Sequence, residues 1–424
     1  MKYKAGSRRR AKEYEKAILE FWKKDETFLK SVEQRGVEKS FVFYDGPPFI
    51  TGQPHHGTLL ASIVKDAVAR FWTMRGYRVE RRWGWDCHGL PAENFVEKQL
   101  GILDRRQIGA IPEGASEKER QAILEKEPGA ISLESYILKA KESMVANSET
   151  WKGTIDRIGR WVDFETPYRT MDKDFMESVW WAFKMLYEKG KIYEGRKVLM
   201  YDTKFGTPVS KAEVTMDNDA YKTVTDPSAF TLFRVHDSAS GTITANDSLF
   251  FLAWTTTPWT LPANKALAVN PEMMYGVYEV EGKRVIIAEK LVGKVLSEDA
   301  KPVETFKGAE LAGAEYEDIL GRGKRKVFTA DFVGDEEGTG IVHVAPAYGE
   351  DDYELYLEHQ DEMEFEDVLD ENGYYLPEMA AKLHELGVRD TDENGIEIWA
   401  GNKFIAKVLE EKGIVYKIEY IKHE

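Results

Sequence analysis

Two short motifs near the start of the chain hold side chains that could bind oppositely charged parts of a substrate. Pro54-His55-His56-Gly57-Thr58 lies between a predicted strand and a predicted helix. A helix N-terminus favours phosphate, and imidazoles placed there can donate to phosphate oxygens and stabilise charge on a phosphoryl group. Asp86 follows the next predicted strand, between Trp85 and Gly89. Its carboxylate could bind an ammonium group through charge-assisted hydrogen bonds.

Both motifs also have a purely structural interpretation. Paired histidines in a Gly/Pro loop are weak evidence on their own, and Asp86 could simply cap a turn. The sequence contains no G-x-x-x-x-G-K-[ST] motif, so any ATP site must be of another kind. We expect packing or supporting roles for Cys87 and His88, because no second cysteine exists and no further histidine stands nearby at ligand spacing.

A second group of polar residues lies far along the chain. Three consecutive threonines within 254–265 follow a predicted strand and offer hydroxyls and backbone N–H groups to a polar ligand. The segment 338–352 adds His343 and Asp352 in a Gly/Pro setting. From composition alone, ordinary threonines of an edge strand are the simpler interpretation of the first segment.

Composition restricts the class of protein. The 424 residues suffice for two or three domains. The net charge of −16 argues against non-specific electrostatic binding of nucleic acid by the whole surface. Local basic surfaces or merely solvated charges could lie at Arg8-Arg9-Arg10, at Arg81-Arg82 and at 322–326. A single cysteine excludes an intrachain disulfide and fits a reducing, cytoplasmic compartment. No apolar run reaches membrane-spanning length.

The elements that position the first two motifs form a predicted βαβ unit. Apolar spacing predicts an amphipathic helix over 11–30, a strand over 41–44, a helix over 60–75 that ends before Gly76, and a strand over 77–83. Two strands joined by a helix imply a parallel sheet. Residues 101–150 are helical in character, and Asp172 is expected to cap a helix that ends at Gly190.

From about residue 197 the sequence pattern changes from helix-like to strand-like. Short β-like runs at 229–233, 249–254, 275–278 and 285–287 are separated by turns, which predicts a mostly β domain inserted after the α/β unit. Residues 350–371 hold twelve acidic residues without Lys or Arg, and we interpret them as a solvated helix and loop.

With these motifs in order, the chain resembles the class I aminoacyl-tRNA synthetases, and among them the isoleucyl enzymes. Residues 43–93 are similar to the nucleotide signature of that family, written HIGH, and to its amino-acid site; Gly84-Trp85-Asp86-Cys87-His88-Gly89-Leu90-Pro91 has the isoleucyl form. The similarity continues through 161–164, 170–172 and 175–181 and covers essentially the whole chain.

The resemblance implies an α/β fold: the first half of a Rossmann-like catalytic domain with a large, mostly β editing domain inserted in it. The expected domains are an N-terminal helical extension (1–40), the first half of the catalytic domain (41–195), the inserted editing domain (196–410) and the start of the return to the catalytic domain (411–424). The lysine-bearing loop written KMSKS and the anticodon-binding domain are not in the sequence. We therefore expect an N-terminal portion of a longer enzyme, or the product of a split or truncated gene.

The resemblance also implies roles for single residues. His55 and Gly57 match the nucleotide signature, while Thr58 stands where its second histidine is usual; Gly46, Pro47 and Asp86 match the positions that receive the amino group of the amino acid. In the editing pocket, Asp352 would hold the amino group of a misacylated amino acid and His343 would shape the side-chain pocket. The remaining pocket residues would be Thr255, Thr256, Thr257, Thr260 and Asn264.

The implied function is ATP-dependent activation of isoleucine and its transfer to tRNA(Ile), with hydrolytic editing of valyl-tRNA(Ile). ATP with Mg²⁺ is then a substrate, the partners are tRNA(Ile), isoleucine and ATP without a membrane, and no zinc is expected, because the family's cysteine positions near 201–207 are unoccupied. Two alternatives stay open: a stand-alone hydrolase of misacylated tRNA, and an inactive tRNA-binding fragment.

Overall fold

A computed structural model describes residues 10–50, 52–146, 148–211, 214, 221–237 and 248–423. The chain forms two compact units, Met1–Glu194 and Gly195–Glu424. None of the helices in these described stretches combines the length and apolar composition that a membrane crossing needs.

The first unit is mainly helical and contains one pair of parallel strands. Trp83, Trp85 and Trp151 form the centre of its core. Its helices and strands are α1 (Ala11–Lys24), α2 (Thr27–Glu33), α3 (His56–Met74), β1 (Arg82–Trp85), α4 (Leu90–Leu100), α5 (Glu117–Lys126), α6 (Leu133–Ala146), α7 (Ser148–Ile158), β2 (Asp163–Arg169) and α8 (Lys173–Glu188).

The predicted βαβ unit is confirmed in its helix and wrong in its strands. Helix α3 ends before Gly76, whose φ of +85° suits a glycine after a helix. Residues 41–44 form no strand; around them the chain makes only isolated parallel bridges, Ser40 to Arg78 and Phe49 to Asp86. The two prolines that follow, 47 and 48, lack the N–H groups that a longer ladder needs.

The observed parallel pair differs from the predicted one. β1 starts at Arg82, later than predicted, and pairs with β2, which we did not predict as a strand. The predicted helix over 11–30 is two helices, because Glu26 adopts φ +53° between α1 and α2. Asp172 precedes α8 as predicted, yet its carboxylate accepts from the N–H of Arg169 at 3.2 Å rather than from the helix.

Gly84 is required by the close approach of β2. An added Cβ would lie 2.1 Å from Cζ of Tyr168, whose hydroxyl donates to the carbonyl of Asp45 at 2.7 Å. We expect Gly84→Ala to lower the free energy of unfolding by about 2 kcal/mol, because the tyrosine must move. The matched control is Gly153→Ala in α7, where a Cβ meets nothing within 4 Å.

That control should raise the free energy of unfolding by about 0.5–1 kcal/mol, because alanine loses less backbone entropy in a helix than glycine does. Urea denaturation of both variants measures the difference. Equal unfolding free energies for the two variants would contradict the assigned packing of Tyr168.

The second unit is built on a ten-stranded sheet, as the mostly β prediction required. The strand order is β10-β8-β9-β6-β13-β7-β12-β11-β5-β14, and an additional β5–β6 pairing closes the strands from β6 to β5 into a barrel. The elements are β3 (Met200–Asp202), β4 (Thr207–Val209), β5 (Val224–Asp237), β6 (Leu249–Thr255), β7 (Ala266–Val269), β8 (Met274–Val280), β9 (Lys283–Ala288), α9 (Val292–Val295), β10 (Glu304–Lys307), β11 (Glu315–Glu317), β12 (Lys324–Thr329), β13 (Ile341–Val344), α10 (Glu350–Glu358), α11 (Pro377–Leu386), α12 (Ile398–Glu411) and β14 (Val415–His423).

Alternating apolar residues of these strands fill the core of the second unit. Phe233 of β5, Phe251 of β6 and Leu267 and Val269 of β7 are fully buried in one cluster. Each such side chain contributes roughly 1.5–3 kcal/mol by leaving water. Within 411–424, where we expected the chain to turn back to the first domain, β14 pairs antiparallel with β5 along the edge of this sheet.

Candidate functional site

In the first unit, a buried ion pair holds the loop that contains Gly46 and Pro47. The carboxylate of Asp45 is buried and pairs with the guanidinium of Arg160 and, at 2.6 Å, with the ammonium of Lys65. Lys65, which lies on α3, also donates to the carbonyl of Gly46 at 2.7 Å. The loop that would form one side of the predicted amino-group site is therefore held by the ion pairs of Asp45 and by the hydrogen bond to the Gly46 carbonyl.

Asp86 lies beside this loop. Its N–H donates to the carbonyl of Pro48 at 3.0 Å, and its carbonyl accepts from the N–H of Ile50 at 3.1 Å. The side chain is partly exposed, and its carboxylate accepts weakly from the N–H of His88 at 3.4 Å. Within the described ranges no cationic side chain forms an ion pair with Asp86, so its carboxylate can pair with a cationic group of a ligand. The structure thus places Asp86 next to Pro48 and Ile50, in the segment that follows Gly46 and Pro47.

His55 and Thr58 define the start of α3. The N–H of His55 donates to Oγ1 of Thr58 at 3.0 Å, and that hydroxyl donates back to the carbonyl of His55 at 2.9 Å. The imidazole of His55 is exposed, and a Cβ at Gly57 would lie 3.1 Å from it. Thr58, at the position where the family has a second histidine, therefore takes part in a capping box with His55, and the exposed imidazole of His55 lies beside the helix N-terminus.

Cys87 is part of the core rather than of an open site. Its N–H donates to Oγ1 of Thr170 at 2.9 Å, and burial raises the pKa of its thiol. His88 is exposed. Over the described parts of the chain, no three His, Cys, Asp or Glu side chains lie close enough together to hold a metal ion.

Two of the three candidate basic clusters, Arg81-Arg82 and 322–326, have partners within the chain. Arg81 is buried, its guanidinium donates to Oγ1 of Thr73 at 2.7 Å, and burial lowers its pKa to about 10. Arg82 donates to the carbonyl of Thr166. In the cluster Arg8-Arg9-Arg10, only Arg10 lies within the described residues, and Arg8 and Arg9 lie outside them.

The helix and loop predicted for 350–371 are confirmed, and most of their acidic side chains are exposed, but the loop also pairs with the cluster at 322–326. Arg322 contacts Glu366 at 3.0 Å and Lys326 contacts Glu362 at 2.6 Å. Lys265, whose side chain is almost fully buried, pairs with Glu366 at 2.5 Å. The two oppositely charged segments therefore stabilise the second unit together.

In the second unit, β6, β7 and β13 bring distant polar residues into contact. β13 runs antiparallel to β7 and parallel to β6, with Val342 opposite Trp254. This register places the buried imidazole of His343 between two partners: Nε2 lies 3.1 Å from Oγ1 of Thr260, and Nδ1 lies 2.8 Å from Nδ2 of Asn264. Strand pairing thus brings Thr260 and His343 together, although they lie about eighty residues apart in the sequence.

The threonines continue this hydrogen-bonded chain. Thr260 donates from Oγ1 to the carbonyl of Thr257 at 2.8 Å, and its hydroxyl lies 3.3 Å from that of Thr257. Thr257 in turn donates from its N–H to Oγ1 of Thr255 at 3.1 Å. Thr256 is exposed. The structure therefore joins Thr255, Thr257 and Thr260 to His343.

Asp352 lies in the first turn of α10, next to the end of β13. Its Oδ2 accepts from the N–H of Ala345 at 2.7 Å, two residues after His343. Burial raises the pKa of Asp352 to about 6, although the Ala345 N–H acts in the opposite direction. A Cβ at Gly349 would lie 2.7 Å from Cγ of Asp352, so glycine makes room for the carboxylate.

Sequence reasoning missed Tyr316. This fully buried tyrosine of β11 donates its hydroxyl to Oδ1 of Asn264 at 2.6 Å and so belongs to the same group of contacts. Its neighbours Glu315 and Glu317 suggest only a short alternating strand, and no sequence signal links it to a residue 52 positions earlier.

Comparisons with known proteins agree with the motifs. Residues 17–235 match the family described as tRNA synthetases class I (I, L, M and V). The chain is 40% identical over 434 residues to the isoleucine–tRNA ligase of Corynebacterium diphtheriae, a match that covers 96% of this chain and 37% of that protein. It is 40% identical over 437 residues to the same-named protein of Corynebacterium efficiens, covering 99% and 38%. The chain therefore spans less than two-fifths of the length of these relatives.

A likeness to a solved structure is weaker. The crystal structure of GlLeuRS-CP1 shares 14% sequence identity with this chain at a TM-score of 0.36, covering 46% of this chain and 98% of that chain.

Proposed function

Because the chain belongs to the class I tRNA synthetases (I, L, M and V), we propose that it contributes to an isoleucine–tRNA ligase, which activates isoleucine with ATP and transfers it to tRNA(Ile). The observation that carries the proposal is the carboxylate of Asp86, which has no ion-pair partner among the described residues and lies beside the segment that follows Pro47. An ammonium group seated there gains a charge-assisted hydrogen bond. We further propose the domain plan given above, with a Rossmann-like catalytic domain interrupted by the second unit.

ATP would lie at the N-terminus of α3. The exposed imidazole of His55 can donate to a phosphate oxygen, and Gly57 lets a phosphate approach the backbone closely. Thr58 helps to hold this turn, because its hydroxyl makes two hydrogen bonds with the His55 backbone. Mg²⁺ enters with ATP as part of the substrate. The reducing cytoplasm is the compartment we propose, since the single cysteine is buried.

A calorimetric titration of the chain with isoleucine tests the amino-group site. We expect Asp86→Asn to weaken isoleucine binding by about 10- to 100-fold, because the neutral amide gives the ammonium group an acceptor without a negative charge. Asp156→Asn, which changes an exposed carboxylate on α7, serves as the control and should leave the affinity unchanged. Equal affinities for Asp86→Asn and the unmodified chain would refute the assignment.

We also propose that the second unit hydrolyses valyl-tRNA(Ile). Valine lacks one methylene of isoleucine, and a hydrophobic pocket discriminates one methylene by only about 1–3 kcal/mol. A second pocket that excludes isoleucine supplies the remaining selectivity. The hydrogen-bonded group of Thr255, Thr257, Thr260 and His343, with Asp352 beside it, supports this proposal.

Each of these residues then has a defined task. The Asp352 carboxylate binds the α-ammonium group of the ester, and the threonine hydroxyls hold the attacking water and the terminal ribose. Burial lowers the pKa of His343 to about 4, so the ring is neutral at physiological pH and orients Thr260 without carrying charge. Hydrolysis here depends on positioning more than on a strong base.

The raised pKa of Asp352 predicts the pH dependence of this reaction. Its folded value of about 6 lies above its usual 3.8, so folding favours the protonated form, and the contribution of Asp352 to stability falls as pH rises between those values. Binding of the ammonium group needs the ionised form. The ratio of enzymatic to spontaneous hydrolysis of valyl-tRNA should therefore rise to a plateau, with its midpoint near pH 6. A plateau already reached at pH 5 would contradict the raised pKa of Asp352.

A further inference from the structure

Two partners fix the orientation of the Asn264 amide: the Tyr316 hydroxyl at its oxygen and the carbonyl of Ala266 at its nitrogen. Tyr316 stands in the middle of β11, fully buried, with its ring edge-on to Phe233 at 5.2 Å. Burial raises its pKa well above the usual value, so the hydroxyl keeps its proton and donates to Oδ1 of Asn264 at 2.6 Å. An oxygen held there leaves Nδ2 at the other end of the amide.

That nitrogen then determines which ring atom of His343 carries a proton. Nδ2 of Asn264 donates to the carbonyl of Ala266 at 2.9 Å and, with its second hydrogen, to Nδ1 of His343 at 2.8 Å. A donor that faces Nδ1 requires a bare ring nitrogen. The proton of the neutral ring must therefore sit on Nε2, where it is donated to Oγ1 of Thr260 at 3.1 Å.

The chain of donors ends at the threonines. Because Oγ1 of Thr260 accepts from His343, its own proton is available to the carbonyl of Thr257 at 2.8 Å. Every hydrogen bond from Tyr316 to Thr257 thus runs in one direction. Reversing the His343 tautomer would turn the Thr260 hydroxyl towards the ring and away from Thr257.

We propose that Tyr316 is a positioning residue of the hydrolytic site: through Asn264 it selects the Nε2-protonated tautomer of His343 and thereby sets the direction of the Thr260 hydroxyl group. The kinetic consequence rests on the proposed hydrolysis of misacylated tRNA. The tautomer itself does not, and it is measurable in the chain without a substrate.

The test is long-range ¹H–¹⁵N spectroscopy of the imidazole rings, with the His343 signals assigned by their loss in His343→Gln. In the unmodified chain we expect a protonated Nε2 and a bare Nδ1. Tyr316→Phe removes the donor to Asn264 and should give a second, Nδ1-protonated population. In parallel, kcat for valyl-tRNA hydrolysis should fall about fivefold, equivalent to one neutral hydrogen bond, with KM nearly unchanged.

Tyr275→Phe is the matched control. Tyr275 is equally buried, and its hydroxyl donates to a backbone carbonyl, that of Gly340, at 2.7 Å rather than to Asn264. The Tyr275→Phe variant should have a lower free energy of unfolding but the same His343 tautomer as the unmodified chain. A protonated Nδ1 in the unmodified chain overturns the inference, whatever the fold of the variants. So does a Tyr316→Phe variant with unaltered ring signals, while altered signals without any hydrolysis by the unmodified chain would instead refute the proposed function.

Discussion

Asp352→Ala is expected to reduce the hydrolysis of valyl-tRNA(Ile) by this chain about 100-fold, the upper end of what a hydrogen bond to a charged group contributes. The carboxylate is the negative charge that we assign to the α-ammonium group of the ester. It is held in place by the Ala345 N–H at 2.7 Å and by the room that Gly349 provides. Initial rates of deacylation with labelled valyl-tRNA measure the effect.

The neighbouring Asp351→Ala variant is the control for charge. Asp351 is exposed on the same turn of α10, so its removal changes the net charge equally but leaves the proposed anchor in place. Its rate should stay within about twofold of the unmodified chain, as for a surface substitution. Equal losses in the two variants would mean that Asp352 acts only through general electrostatics.

Arg160→Leu is expected to lower the free energy of unfolding of the first unit by about 3 kcal/mol. Its guanidinium pairs with the buried carboxylate of Asp45 and donates to Oγ of Ser62 at 3.1 Å. Removing it leaves a buried negative charge with Lys65 as its remaining partner. Urea denaturation followed by tryptophan fluorescence measures the loss, since Trp83 and Trp151 lie in the core of this unit.

Arg157→Leu provides the comparison one turn earlier. Its ion pair with Glu15 is exposed at both ends, and such pairs contribute about 0–1 kcal/mol. The same assay should therefore show a change several times smaller than for Arg160→Leu. A comparable loss of unfolding free energy in both variants would contradict the proposal that the Asp45–Arg160 pair holds the loop that contains Gly46 and Pro47.

The sequence predicted the parts of the fold that depend on local pattern. Apolar spacing and Gly76 located α3, and β-rich runs located β5, β6, β8 and β9. It misplaced the parts that depend on pairing. Residues 41–44 have strand-like composition but no ladder partner, while β2 pairs with β1 although its own sequence carries little strand signal.

The candidate sites divide in the same way. The motifs contained Asp86, His343 and Asp352, but their surroundings come from contacts between distant segments. The Thr58 hydroxyl turned out to cap α3, and the basic residues at 322–326 turned out to pair with acidic residues some forty positions later. Tyr316 was beyond reach, because only the β5–β11–β12 pairing carries it to the neighbourhood of Asn264.

The most direct test of the central proposal compares two esters on the same tRNA. The unmodified chain is incubated separately with valyl-tRNA(Ile) and isoleucyl-tRNA(Ile), and the initial rates of deacylation are measured. The proposal predicts hydrolysis of the valyl ester at least about tenfold faster, as expected for a pocket that excludes one methylene. Equal rates, or no hydrolysis of either ester while the chain still binds tRNA(Ile), would contradict it.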